Sequence, residues 1–209
     1  MPIYHSKKFR ESALAHQLLD GLAGLEIGGA AHNAFGLDVL NVDRVHHTNL
    51  AFMPYALEQV RLCGEVMPVD IVAPGDRLPV KDKSYDFVIS SHVIEHFYDP
   101  IAAIKEWMRV SKRYIYMIVP HRDALESDKD KPLTEISEFL NRHKVGANIG
   151  ASDEHHSRWT PDSFMVMCGY IESPIKGETW RVCAYQYSDD KVGNGFTVVL
   201  ECEQQNMEK

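Results

Sequence analysis

Glycines and acids are spaced along residues 25–43, "LEIGGAAHNAFGLDVLNVD", in a way that suits a nucleotide-like ligand. Two short apolar runs, "LEIG" and "DVLNVD", are predicted to be buried strands, and Gly28 and Gly29 follow the first of them. Glycine after a strand lets the backbone approach a ligand closely. Asp43, at the end of the second strand, can accept hydrogen bonds from ribose hydroxyls. The alternative is that the glycines only form a tight turn and that Asp43 only caps a helix.

Segments with strand and helix patterns alternate over the first 120 residues. The pair Asp99-Pro100 predicts the start of the helix "IAAIKEWMRV", because an acid suits the N-cap and proline suits the first helical position. Strands separated by helices are typical of a parallel sheet with crossover connections. The sequence also predicts helices at 6–20 and in "YALEQVRL", and strands in "VMPVDIVA", "YDFVISS" and "YIYMIVP".

The alternation of strand and helix patterns stops in the second half of the chain and then starts again. Residues 121–158 are polar, contain one helix that Thr134 is predicted to cap, and are expected to form a lid-like insertion in a single domain spanning 1–209. Thr160 and Pro161 predict another helix start. The final strands, "TWRVCAYQY" and "GFTVVLECE", flank "SDDKVGNG", which we interpret as a solvated turn. Their hairpin-like link implies an antiparallel strand at one edge of the sheet.

Composition narrows the class of protein. Of 209 residues, 44% are hydrophobic and 25% are charged, which is ordinary for a globular domain. The formal net charge of -8 and the lack of a run rich in Lys and Arg argue against a nucleic-acid partner. No stretch of about 18 apolar residues is present to span a membrane. The four cysteines form no CxxC pair, so we expect free thiols and a cytoplasmic protein.

A second stretch, residues 75–100 with the sequence "GDRLPVKDKSYDFVISSHVIEHFYDP", adds to the first. Together they resemble the class I S-adenosylmethionine-dependent methyltransferases, in particular the type 11 group. That group has an acid before a glycine-rich turn, an acid ending the second strand, an "LPxxDxSxD" motif and a Glu-His signature after the fourth strand. The counterparts here are Glu26 to Gly28, Asp43, Leu78 to Asp86 and Ile94 to His96, so the resemblance covers about residues 20–120.

The resemblance implies a Rossmann-like α/β methyltransferase fold, with a mostly parallel seven-stranded sheet, helices on both faces and an antiparallel edge strand. It also implies S-adenosyl-L-methionine as the cofactor. In that case Glu26 and Gly28 shape the turn beside the methionine end, Asp43 holds the ribose, Gly75 and Asp76 lie against the adenine, and Ser90, Ser91 and His92 line the methyl-transfer site.

The chain departs from the family pattern at two places. Ala30 and His32 stand where later glycines of the turn are usual. The acid that usually meets the adenine amino group would fall near Pro74. Asp76 or Asp70, or backbone groups alone, must then take its place.

Histidines are the natural bases in this sequence. Methyl transfer from a sulfonium mainly needs the acceptor held at attack distance, but a hydroxyl acceptor also needs a base. His121, which follows the fifth strand, and His92, which follows the fourth, are the candidate catalytic residues. The histidines at 155–156, beside acids at 153–154, could bind a metal, but neighbouring histidines rarely point the same way. The sequence therefore predicts a solvated loop there and no metal site.

We therefore predict a methyltransferase acting on a small molecule. The segments "DKDKPLTEISEFL" and "DEHHSRWTPDSF" are similar to a subgroup found beside glycosyltransferases in surface-polysaccharide gene clusters, which favours O-methylation of a sugar or sugar-linked intermediate. One alternative is a non-catalytic relative that acts as a binding or scaffold protein. Another is an NAD-binding sugar-modifying enzyme, although the fingerprint GxGxxG is absent. No feature of the sequence indicates the oligomeric state.

Overall fold

A seven-stranded sheet is the centre of the fold over the residues that the computed structural model describes, which are 9–29, 34–48, 67–126, 128–146 and 149–204. The strand order across the sheet is β3-β2-β1-β4-β5-β7-β6. The strands are β1 (Ala23–Ile27), β2 (Asp38–Asp43), β3 (Ile71–Val72), β4 (Tyr85–Ser91), β5 (Ser111–Pro120), β6 (Glu178–Gln186) and β7 (Gly195–Gln204). The helices are α1 (Ala13–Leu19), α2 (Pro100–Val110), α3 (Ile136–Val145) and α4 (Pro161–Cys168), with a short 3-10 turn at Ile94–His96.

The directions of the strands match the predicted sheet. Strands β1 to β5 run parallel, and β7 runs against them beside β5. Strand β6 pairs antiparallel with β7 and forms the edge, so the reversed strand lies one position in from that edge. Parallel strands deliver their carboxyl ends to one side of a sheet, where ligands bind in open α/β folds. Residues that follow β1, β2, β4 and β5 therefore meet there.

Helices cover both faces of the sheet, as predicted. Successive residues of a strand face opposite sides, so Val88 and Ile89 of β4 belong to different apolar clusters. Val88 lies in the larger cluster, which helices α2, α3 and α4 cover and which includes the fully buried Trp107. Ile89 lies in the smaller cluster with Phe35 and Tyr116, under helix α1.

Two helices begin where their caps predict. Helix α2 starts at Pro100, and the Asp99 carboxylate accepts a hydrogen bond from the Ala102 backbone nitrogen at 2.9 Å. Helix α4 starts at Pro161, and Thr160 forms a reciprocal capping box with Ser163. These signals are local, because each cap satisfies backbone N–H groups of the next turn.

Three other elements differ from the prediction. Helix α3 begins after Glu135, because Thr134 is engaged elsewhere: its hydroxyl accepts from the backbone nitrogen of Arg158 at 3.1 Å. Strand β3 has only two residues, and α1 begins at Ala13 instead of residue 6. The helix predicted in "YALEQVRL" lies outside the described residues.

The polar stretch 121–158 packs against the sheet at α3. Phe139 of α3 stacks on the fully buried Trp159 with ring centroids 5.3 Å apart. Arg142 is 9% exposed and donates to the carbonyl oxygens of Tyr98 and His156. This part of the stretch is anchored, and a lid role for the remainder stays a prediction.

The prediction of a solvated turn between β6 and β7 is wrong at two charged residues, although Ser188, Gly193 and Asn194 are exposed. Asp189 and Lys191 are only 4% and 2% exposed. The Asp189 carboxylate accepts from four backbone nitrogens of the same turn, those of residues 191, 192, 193 and 195. Lys191 donates from Nζ to the Ala34 carbonyl oxygen at 3.0 Å and lies over the Phe35 ring. The turn is thus built onto the segment that follows the glycine turn.

Two simpler expectations concern the thiols and the membrane. Cys168, Cys183 and Cys202 are free thiols, as predicted, and Cys63 lies outside the described residues. Every helix in the described ranges is too short or too polar to cross a bilayer.

Candidate active site

The turn after β1 requires glycine. Gly28 has a φ of +69°, and a Cβ atom there would lie 2.8 Å from a methyl group of Val93. Its N–H donates to the Val42 carbonyl oxygen at 2.8 Å, which ties the turn to β2. At Gly29, an added Cβ would lie 3.1 Å from the Glu26 carboxylate. The backbone at these two glycines therefore carries no side chain where a ligand would approach. Ala30 and His32 lie outside the described residues.

Glu26 points a buried carboxyl group at this turn. It is 1% exposed, and burial raises its pKa to about 7, although the nearby Lys191 ammonium opposes that rise. A carboxyl group poised near neutrality ionises readily when a cationic group of a ligand approaches it.

Asp43 holds the turn that follows β2, and the described residues 44–48 form bends and turns instead of the helix that it was expected to cap. Its Oδ1 accepts a hydrogen bond from the Val45 backbone nitrogen at 3.2 Å. Burial raises its pKa. A carboxylate offers about four acceptor positions, so this bond leaves capacity for ribose hydroxyls. The turn-holding bond and the ribose interpretation are therefore compatible.

Asn41 is a site residue that sequence reasoning missed. Its side chain accepts from the Gly29 nitrogen at 3.3 Å and donates to the Pro68 carbonyl oxygen at 2.8 Å. Its own backbone nitrogen donates to the Asp70 carboxylate at 2.8 Å. The signal was a polar residue inside the apolar run "DVLNVD". Asp70 thus fastens the segment before β3 to β2, which makes it a weaker candidate for the adenine than Asp76.

Gly75 and Asp76 lie on a turn that is held by a hydrogen bond from Trp107 of helix α2. The Trp107 indole nitrogen donates to the Gly75 carbonyl oxygen at 2.8 Å, and a Cβ at Gly75 would lie 2.7 Å from the Ile27 side chain. The Asp76 Oδ1 atom is buried and makes no hydrogen bond to the part of the chain that the structure describes. A buried acceptor of this kind is costly unless a donor reaches it, and an adenine amino group is such a donor.

Ser90 and Ser91 end β4 with two buried hydroxyl groups. Neither Oγ has a hydrogen-bond partner among the described residues. Because alternate residues face opposite sides, the two hydroxyls point to different faces of the sheet. Ser91 shares the face of Ile89, which pairs with Glu26 on the neighbouring strand. The structure therefore brings Ser91, and not Ser90, to the side of the Glu26 carboxyl.

His92 follows directly in an unusual conformation. Its φ is +56°, which is rare for a residue with a side chain and is found disproportionately at functional sites. Its Nε2 is buried with no hydrogen-bond partner in the described ranges. Burial lowers its pKa to about 4, so the ring is neutral and weakly basic at neutral pH.

His121 lies just past β5, at the same edge of the sheet. Its Nε2 donates to the Tyr187 carbonyl oxygen at 2.7 Å, and its backbone nitrogen donates to the Asn194 carbonyl oxygen at 3.2 Å. A neutral imidazole that donates from Nε2 carries its lone pair on Nδ1. The ring is therefore held in the tautomer that can accept a proton at Nδ1.

A cluster of imidazole groups surrounds Glu95 in the 3-10 turn after β4. Glu95 is 1% exposed, and its Oε1 lies 4.0 Å from His92 Nδ1, 3.8 Å from His96 Nε2 and 3.9 Å from His155 Nε2. The His155 side chain is only 13% exposed, so the prediction of a solvated loop is wrong at this residue.

Main-chain hydrogen bonds hold the loop of residues 152–156 against this turn. The His96 carbonyl oxygen accepts from the Ser152 nitrogen at 3.0 Å, and the Glu95 carbonyl oxygen accepts from the His156 nitrogen at 2.8 Å. The end of the polar stretch is thus docked beside β4.

The sequence of residues 25–118 matches the family described as methyltransferase domain. The curated proteins contain no match to the chain. Among solved structures, an S-adenosylmethionine-dependent methyltransferase from Thermotoga maritima is 19% identical, with 97% of this chain and 92% of that chain covered and a TM-score of 0.50. A protein from Pyrococcus horikoshii is 18% identical, with 91% and 86% covered and a TM-score of 0.50.

The similarity to these two structures is a similarity of fold and agrees with the seven-stranded sheet described above. The matched region runs from β1 to β5 and contains the glycine turn, Asp43, the Gly75 turn and the residues after β4. Residues 25–118 therefore belong to the methyltransferase-domain family, and the fold of the chain is that of S-adenosylmethionine-dependent methyltransferases.

Proposed function

We propose that this enzyme methylates a hydroxyl oxygen of a small acceptor, a sugar or a sugar-linked intermediate. The observation that carries the proposal is His121 at the carboxyl edge of the sheet, with Nε2 bound to a carbonyl and Nδ1 left as the proton acceptor. A hydroxyl acceptor needs such a base as the methyl group arrives. The sugar class is supported by the resemblance of segments within 128–164 to polysaccharide-cluster methyltransferases.

The residues at the carboxyl ends of β1 to β3 fit the cofactor. When bound, S-adenosylmethionine supplies an electrophilic methyl group on a sulfonium. We propose that Glu26 attracts its ammonium group, that Asp43 accepts from its ribose hydroxyls and that Asp76 Oδ1 accepts from its adenine amino group. The buried Asp76 oxygen, which has no hydrogen-bond partner among the described residues, supports this fit.

Ser91, His92 and His121 belong to the acceptor side in this proposal. Ser91 and His92 offer a hydroxyl group and an imidazole nitrogen with no hydrogen-bond partner among the described residues, and both can orient an acceptor. His121 takes the proton, since the lowered pKa of His92 makes that ring a weaker base.

The test is turnover with isotopically labelled S-adenosylmethionine against a panel of nucleotide sugars and free sugars. We expect labelled methyl groups on a sugar oxygen, identified by mass spectrometry and NMR of the product. Methylation of a nitrogen would contradict the oxygen assignment. Cofactor binding by calorimetry with no turnover on any acceptor would favour the non-catalytic alternative, and binding of NAD alone would favour the dinucleotide enzyme.

A further inference from the structure

We propose that Glu95, His96 and His155 bind a divalent transition-metal ion, for which zinc is the probe. The sequence predicted no metal site, because the only candidate ligands that stand together in the chain are the adjacent histidines 155–156. Residues far apart in the chain meet only in the folded structure. In the structure, one carboxylate oxygen and two imidazole nitrogens from these three residues lie within 4.8 Å of one another.

The distances suit an ion better than they suit hydrogen bonds. The Glu95 Oε1 atom lies 3.8 Å from His96 Nε2 and 3.9 Å from His155 Nε2, beyond the range of a hydrogen bond. Ligand atoms around tetrahedral zinc are about 3.3 Å apart, given bonds of about 2.0 Å. Side-chain movements of about half an ångström would therefore close the two contacts to Glu95 around an ion.

Each histidine is held at its other ring nitrogen. His155 donates from Nδ1 to the Asp128 carboxylate at 2.5 Å, and Asp128 is itself fixed by Arg158 at 2.9 Å. His96 donates from Nδ1 to the Glu154 carbonyl oxygen at 3.3 Å. A carboxylate or carbonyl bound to the far nitrogen is the usual support of a metal-ligating histidine. It leaves both Nε2 atoms as acceptors directed toward Glu95.

The Glu95 carboxyl group provides the independent observation. Both of its oxygens are buried, and neither has a hydrogen-bond partner among the described residues. An unsatisfied buried carboxyl group is strongly unfavourable, and native structures avoid it unless a ligand or ion satisfies it.

The set of atoms defines the class of ion. Two imidazole nitrogens and one carboxylate oxygen suit zinc and its neighbours in the first transition row, whereas Ca²⁺ and Mg²⁺ prefer oxygen ligands. Three protein ligands leave a fourth position open in a tetrahedral site. His92, 4.0 Å from the same oxygen of Glu95, lies beside the cluster and links it to the end of β4.

The test is zinc binding by the chelator-treated full chain, measured by calorimetry and by metal content after dialysis. We expect one ion per chain with a dissociation constant in the micromolar range or below. Glu95→Gln and His155→Gln should each weaken binding by about a hundredfold or more, and Asp128→Asn by about tenfold to a hundredfold. Cobalt as a second probe should give the visible absorption of a tetrahedral site in the wild type and lose it in Glu95→Gln.

His156→Gln is the matched control. This neighbouring histidine binds the Ser152 hydroxyl at 2.8 Å instead of facing Glu95, so its loss should leave zinc affinity unchanged. The proposal is overturned if the wild type binds no zinc, if Glu95→Gln binds as tightly as the wild type, or if His156→Gln loses as much affinity as His155→Gln. Circular dichroism shows whether each variant is folded, and Asp128→Asn provides a milder change if a ligand variant is not.

Discussion

The carboxylate of Asp43 shows how one residue can hold a turn and still be available to a ligand. Its bond to the Val45 nitrogen orients the carboxylate at the end of β2. An oriented acceptor loses less conformational entropy when a ligand binds than a free side chain does. The bond to Val45 therefore supports the proposed ribose role of Asp43 instead of competing with it.

Replacing Asp43 should weaken cofactor binding. A hydrogen bond to a charged group contributes about 1.5–3 kcal/mol, so Asp43→Ala should raise the dissociation constant of S-adenosylmethionine about tenfold or more in calorimetry. Asp38→Ala is the control, because Asp38 lies exposed at the other end of the same strand. Equal affinities for wild type and Asp43→Ala would exclude the ribose role.

Replacing His121 should slow catalysis without releasing the cofactor. Loss of a general base typically lowers the rate by about a hundredfold or more, so His121→Ala should lower kcat by that order at nearly unchanged cofactor affinity.

A change confined to the KM of the acceptor would instead mean that His121 only orders the binding site. A variant with full kcat would place the base elsewhere, with His92 as the next candidate. His143→Gln serves as the control, since that histidine pairs with the Asp99 side chain.

At the scale of elements, the turn between β6 and β7 is fixed against the segment that follows the glycine turn. Asp189 gathers backbone N–H groups that would otherwise be buried without partners, and Lys191 reaches across to Ala34. The sequence "SDDKVGNG" has the composition of an exposed turn. Asp189 and Lys191 can nevertheless be buried because bonds within the fold satisfy their charged groups.

Removing the Asp189 carboxylate should destabilise the whole fold. The side chain accepts from four backbone nitrogens, and charge-assisted bonds contribute about 1.5–3 kcal/mol each, not additively. We expect Asp189→Ala to lower the free energy of unfolding in urea by about 3 kcal/mol or more. Asp123→Ala, at an exposed position, should change it by less than about 0.5 kcal/mol. A small change in the free energy of unfolding for Asp189→Ala would mean that water can replace these hydrogen bonds.

Local signals in the sequence predicted the elements, and contacts between distant residues decided the rest. Asp99 and Pro100 predicted a helix start because cap and helix are adjacent in the chain. Thr134 failed as a cap because Arg158, 24 residues away, takes its hydroxyl. The same reason hid the cluster at Glu95, whose partner His155 comes from the far end of the polar stretch. The glycine turn was predictable because adjacent residues specify it, whereas the ribose role of Asp43 stays a prediction.

At the scale of the whole molecule, the buried Glu26 should make stability depend on pH. Its pKa is about 7 in the folded state, against an ordinary value of 4.5. Between these values the unfolded chain releases a proton that the folded chain keeps. Stability from this group is therefore complete below pH 4.5 and is lost as the pH rises to about 7, by up to roughly 3 kcal/mol.

Glu26→Gln should remove this dependence. Urea unfolding of the wild type and the variant at pH 5 and pH 8 measures it, and we expect the variant to gain stability relative to the wild type at the higher pH. A difference between the two proteins that is the same at both pH values would show that Glu26 does not titrate in this range.

The bonds that dock residues 152–156 on the turn after β4 come from the main chain, through the carbonyl oxygens of Glu95 and His96. Main-chain bonds persist when side chains are exchanged. Mutation can therefore vary the reactive groups at this position while the loop keeps its attachment. Substitutions of the side chains at 155 and 156 should therefore leave these main-chain attachments in place.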